Sequence, residues 1–139
     1  MPVMTATELI DFMRSAFPQA RPDRFVIELV EEGRVVFRYR ATYDDLRPGD
    51  TVSGPTLMAL SDVGMYFAVL SSIGPVALAV TTNLNINFLR KPPEGELVVE
   101  TRLLKLGRRL AVGEVYVRGP ASPDVISQAT VTYSIPPER

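Results

Sequence analysis

The sequence predicts an α+β domain in which an antiparallel β-sheet wraps around one long central helix. Three observations lead there. From Thr51 to Leu89 a single residue, Asp62, carries a formal charge, and the first half of that segment is apolar around most of the helical circumference. After it come alternating apolar and polar runs separated by short turns, the pattern of strands that pair antiparallel. Before it, a capping signature and two alternating runs around a glycine specify a helix and a hairpin.

Thr5-Ala6-Thr7-Glu8 has capping-box spacing, and Leu9, Ile10, Phe12, Met13, Ala16 and Phe17 then fall on one broad helical face until Pro18 ends the run. Phe25 to Val30 and Val35 to Arg40 alternate on either side of Glu31-Glu32-Gly33, which reads as a hairpin. Pro48-Gly49 marks a loop. The apolar helix runs from about Thr56 to Ser72, too short and too interrupted by Ser and Gly to suit a bilayer, and Gly74-Pro75 breaks it. A long strand follows. Strict alternation puts Leu78, Val80, Thr82, Leu84, Ile86 and Phe88 on one face and Ala79, Thr81, Asn83, Asn85 and Asn87 on the other, until Pro92-Pro93 closes it. Leu97 to Leu106, Leu110 to Arg118 and Val125 to Ile135 complete a meander, with turns at Gly107-Arg108-Arg109 and Gly119-Pro120.

The 139 residues suit one domain, read here as 1–139. With 46% apolar and 22% charged residues and a net charge of -1, the composition is that of a globular protein, without the basic excess of a nucleic-acid binder. There is no cysteine and no histidine. Thiolate nucleophiles, Cys- or His-ligated metals and the Ser-His-Asp arrangement are therefore excluded, and neither a metal nor a separate cofactor is expected. The opening residues lack a basic start followed by a long apolar core, so no secretory signal is expected and the cytoplasm is the expected location.

Asp62 sits in the middle of the apolar helix with Met58, Ala59, Met65 and Tyr66 one turn away, and no Lys or Arg among them. A desolvated carboxylate without a cationic partner is either a structural acid, bonded to backbone groups or to a tyrosine, or a general base. Upstream, Ser53-Gly54-Pro55-Thr56 places Gly and Pro where the helix begins, and the Gly54 N–H at the positive end of the helix is suited to a polarised carbonyl oxygen.

The stretch from Arg47 to Pro92, with Ser53-Gly54-Pro55 leading to Asp62 and Thr81-Thr82-Asn83-Leu84-Asn85-Ile86-Asn87-Phe88 beyond, resembles the hotdog thioesterases of the phenylacetate-degradation (PaaI-like) type. That family carries a His-Gly-Gly helix start with an Asp or Glu seven residues after the second Gly. The resemblance implies a hotdog fold and hydrolysis of a small or medium acyl- or aryl-coenzyme A thioester, with CoA as part of the substrate. It makes Asp62 the catalytic carboxylate, as base or nucleophile, and Gly54 the donor to the thioester carbonyl. Thr81 helps to place the water, from the other subunit, or is an ordinary strand hydroxyl. Ser53, Pro55, Arg47 and Tyr66 line the substrate, and Arg90, Lys91, Lys105, Gly107, Arg108 and Arg109 stand where CoA phosphates meet the family's strand ends. The family builds its sites between subunits, so a homodimer is expected, with pairing into a tetramer as an extension, and no nucleic acid or membrane partner.

Ser53 replaces the motif His, Pro55 replaces its second Gly, and Arg47 stands where many members have Asn. The alternative function is a hotdog protein that binds acyl-CoA without turning it over. Hotdog dehydratases are disfavoured, because they use a histidine.

Overall fold

The computed structural model describes residues 1–137. The capping box forms as its spacing predicts, with Thr5 Oγ1 accepting from the Glu8 N–H and the Glu8 carboxylate from the Thr5 N–H, and it opens helix α1, Ala6–Ala16. Only Leu9 and Met13 of its apolar face are fully buried, and Phe17 stays partly exposed with its ring edge-on to Tyr66. Strands β1 (Phe25–Glu31) and β2 (Arg34–Ala41) make the predicted hairpin, and Gly33 takes the positive φ of 69° that its turn requires.

The Pro48-Gly49 loop proves to be the tip of a small ribbon, β3 (Leu46–Arg47) paired with β4 (Thr51–Val52). Two-residue strands leave no periodicity to read. Helix α2 then runs over Gly54–Ile73, 20 residues, longer than expected at both ends. Its length and composition are those of a membrane span, contrary to the expectation that it is too short. Leu57, Leu60, Met65, Phe67, Ala68, Val69 and Leu70 are instead buried in the protein core, which explains why it is apolar most of the way round.

The remaining strands are β5 (Val80–Phe88), β6 (Gly95–Leu106), β7 (Leu110–Arg118) and β8 (Val125–Ser134). The main sheet has the order β1-β2-β6-β7-β8-β5, with every neighbouring pair antiparallel. It wraps around α2, and Val35, Phe37, Val99, Val115, Ala129 and Val131 meet the helix in one core. Gly64 and Gly113 set the closest approaches. A methyl group on Gly64 would lie 2.4 Å from Thr101 Oγ1, and one on Gly113 would lie 2.7 Å from Met65 Sδ.

One expectation about the fifth strand, its strict alternation, fails. The strand lies at one edge of the sheet. It also carries a bulge: Thr81 pairs with Tyr133 but Asn83 with Thr132, so Thr82 is the extra residue. The bulge reverses the alternation, and Thr81 therefore shares the inner face with Leu84 and Ile86 instead of opposing them.

Candidate active site

Asp62 faces the β5 side of α2, where it is half-buried rather than fully enclosed. Two hydroxyls hold one of its oxygens. Thr81 Oγ1 donates to Asp62 Oδ1, and Tyr133 OH donates to the same oxygen over 2.9 Å while lying 3.1 Å from the Asp62 carbonyl. Thr81 reaches Asp62 of its own chain, and the bulge is what turns it inward. Tyr133 is 2% exposed, and burial followed by the nearby Asp62 charge raises its hydroxyl well above the ordinary tyrosine range, so it remains a protonated donor. Among the described residues nothing donates to Oδ2, which leaves that oxygen for a substrate or a water.

Tyr133 was not singled out in the sequence. Its place in a regular alternating strand marks it only as inward-facing, and its link to Asp62 spans 71 residues. Tyr66 packs beside it, ring centres 6.4 Å apart, with its hydroxyl 3.4 Å from the Ala77 carbonyl.

Gly54 is the first residue of α2. Ser53 caps the helix, its Oγ accepting from the Thr56 N–H over 3.3 Å, while the Leu57 N–H donates to the Ser53 carbonyl. Pro55 has no N–H, so Gly54 holds the one uncommitted donor of the first turn among the described residues. The Phe88 ring covers Gly54 so closely that a Cβ there would sit 3.3 Å from it. Beside them opens a cleft of about 290 Å³ lined by Arg47, Gly54, Leu57, Phe88, Arg90 and Lys91, among others. Arg90 is tied down through Nη1, which donates to the Val125 carbonyl over 2.6 Å.

The other predicted cations lie elsewhere. Lys105 lies near the end of β6, Gly107, Arg108 and Arg109 form the β6–β7 turn, and because Leu110 and Val80 both pair with Ser134, that turn is one register step beyond the Thr81–Tyr133 pair. Arg47, Arg90 and Lys91 thus flank the Gly54 half of the candidate site, Arg108 and Arg109 stand in the turn beyond the Tyr133 half, and Lys105 lines a separate hollow with Glu32, Gly33 and Ser72. The two halves are not adjacent. Asp62 lies eight steps along the helix from Gly54, about 12 Å at 1.5 Å per residue.

A buried acid that the sequence reading also passed over stands behind the helix start. Asp45 is 6% exposed and accepts from Tyr39 OH, Arg24 Nη2 and the Thr42 N–H, each at 2.9 Å, and from Thr56 Oγ1 at 3.3 Å. Burial pushes its carboxyl up, but the Thr42 N–H, the Tyr39 hydroxyl and the Arg24 guanidinium together hold it below the ordinary carboxylate range. Burial, and then Asp45 itself, push Tyr39 up to about 12.

Residues 49–121 match the model of the Thioesterase superfamily. A crystal structure of a "putative thioesterase" from Silicibacter sp. TM1040 is 41% identical over 99% of this chain and 95% of that one, with a TM-score of 0.88. The PaaI protein of the E. coli phenylacetic acid degradation operon superposes with a TM-score of 0.81 at 19% identity, covering 94% of this chain and 93% of its own. A Streptococcus mutans UA159 protein bound to acetyl CoA gives 0.74 at 23% identity, covering 81% of this chain and 88% of its own. The sheet wrapped around α2 is accordingly the hotdog fold, which PaaI shares, and this chain belongs to the thioesterase superfamily of thioester hydrolases.

Proposed function

We propose that the protein hydrolyses a small or medium acyl- or aryl-CoA thioester at a site that two copies build together. The observation that carries this reading is the separation of Gly54 from Asp62 along a single rigid helix. About 12 Å is too far for the N–H of one and the carboxylate of the other to meet the same thioester group.

The edge strand offers the remedy. Thr81, beside Asp62, and Phe88, beside Gly54, lie near opposite ends of β5. Antiparallel pairing of two β5 edges about Leu84 and Asn85 sets Thr81 of one copy against Phe88 of the other, and with them Asp62 against Gly54 of the partner subunit. The same pairing brings the Arg47, Arg90 and Lys91 cluster of one copy toward the β6–β7 turn of the other, with Arg108 and Arg109, a setting suited to CoA phosphates. The acetyl CoA held by the Streptococcus mutans neighbour supports CoA esters as the ligand class.

In this arrangement Thr81 and Tyr133 fix Oδ1, and Oδ2 takes the proton of a water as its oxygen attacks the thioester carbonyl carbon. The developing oxyanion is received by the Gly54 N–H of the partner subunit, at the positive end of α2. The carbon–sulfur bond then breaks, and CoA leaves as its thiolate or takes the proton from Asp62. Binding without turnover is the second reading, favoured by one feature: Ser53, in the place of the family's His, is committed to capping the helix.

The test is thiol release by the purified protein from a panel of aliphatic and aromatic acyl-CoAs. Turnover is expected, with kcat falling about 10²-fold or more in Asp62→Asn while ester binding persists. Tight binding of CoA esters by a wild type that releases no thiol from any of them supports the second reading.

A further inference from the structure

The geometry points to Asp45 as a positioning residue that holds the Gly54 N–H in place for the thioester carbonyl. This inference rests on the proposed role of Gly54 and extends it to a residue outside the cleft.

The helix start is gripped from both sides of Gly54, and both grips end on Asp45. On one side, the Ser53 N–H donates to the Asp45 main-chain carbonyl over 2.8 Å. On the other, Thr56 Oγ1 lies 3.3 Å from Asp45 Oδ1 and 3.0 Å from Ser53 Oγ. Gly54 and Pro55 are bracketed between these contacts.

Asp45 can serve as an anchor because it is itself fixed. Arg24 and Tyr39 reach it from the ends of β1 and β2, the Thr42 N–H closes its turn, and the Arg24 guanidinium also stacks 4.7 Å from the centre of the Tyr39 ring. Position matters for an oxyanion donor because its benefit depends on being aimed where charge develops, and a loosened donor loses it even when substrate still binds. A glycine N–H followed by Pro55 has no side chain of its own to aim it. The Asp45 network supplies that constraint.

The test uses Asp45→Asn, Thr56→Val and Gly54→Pro, alone and combined, with kcat, KM and thermal melting measured on an acyl-CoA that the wild type turns over. Asp45→Asn preserves size but removes the charge that faces Arg24 and one of the two acceptor oxygens, and Thr56→Val removes one hydroxyl at constant shape, so it serves if Asp45→Asn does not fold. We expect kcat to fall about tenfold or more in each, below the melting temperature and with KM within about threefold. In a Gly54→Pro background, which lacks the N–H, the same substitutions should change kcat no further. Full kcat in folded Thr56→Val and Asp45→Asn overturns the inference, as does a loss that persists undiminished in the Gly54→Pro background. If Gly54→Pro alone keeps full turnover, the role of Gly54 fails and the inference fails with it.

Discussion

At the scale of single residues, the site depends on one oxygen of Asp62 being held and the other left open. Both donors to Oδ1 are hydroxyls, so among the described residues no cation competes for the carboxylate. Asp62 was legible in the sequence because it is the one charge in a long neutral segment. Thr81 entered only through the resemblance, because strict alternation placed it on the wrong face, and Tyr133 and Asp45 left no trace because their partners are remote in the chain. Tyr133→Phe removes one donor and little volume. We expect kcat to fall about tenfold and melting to change by less than the loss of a buried ring would cause, since Oδ1 keeps Thr81; an unchanged kcat at several pH values would exclude Tyr133 from positioning Asp62.

At the scale of elements, α2 is a helix that must both pack closely and present a precise N-terminus. Gly64 permits the packing. Gly64→Ala drives a methyl into Thr101 Oγ1, a buried hydroxyl with no partner among the described residues, and is expected to destabilise by about 1–3 kcal/mol despite the better helix propensity of Ala. Denaturant unfolding checks this, and an increase in stability would mean that the helix can lift off the sheet at no cost. The N-terminus depends on Asp45, whose carboxyl is held below its ordinary range in the folded state. A depressed folded value contributes stability that is present above the unfolded value of about 4 and is lost as pH falls through the folded one. The stability difference between wild type and Asp45→Asn should therefore be constant above about pH 5 and shift against the wild type below about pH 4, measured by unfolding across that range. The helices, the first hairpin and the meander were readable from period and turn residues. The bulge in β5 was not, since a one-residue insertion changes no composition and shows itself only against the strand it pairs with.

At the scale of the whole molecule, the strand order decides what the site needs. β5 occupies an edge because β6 and β7 follow β2 in the sheet and β8 lies between β7 and β5. An exposed edge that carries Thr81 near one end and Phe88 at the other suits self-pairing, and a working site built that way takes Asp62 from one copy and Gly54 from the other. The most direct measurement is complementation between Asp62→Asn and Gly54→Pro proteins, each inactive or nearly so by itself. After subunit exchange confirmed by native mass spectrometry, half of the dimers are mixed, and each contains one site in which both residues are intact. Thiol release should then recover to about a quarter of the wild-type rate, given the large losses expected for each defect alone. Mixed dimers that form and release no more thiol than the two parents would contradict the account, placing Gly54 and Asp62 of the same chain in one site or removing one of them from it.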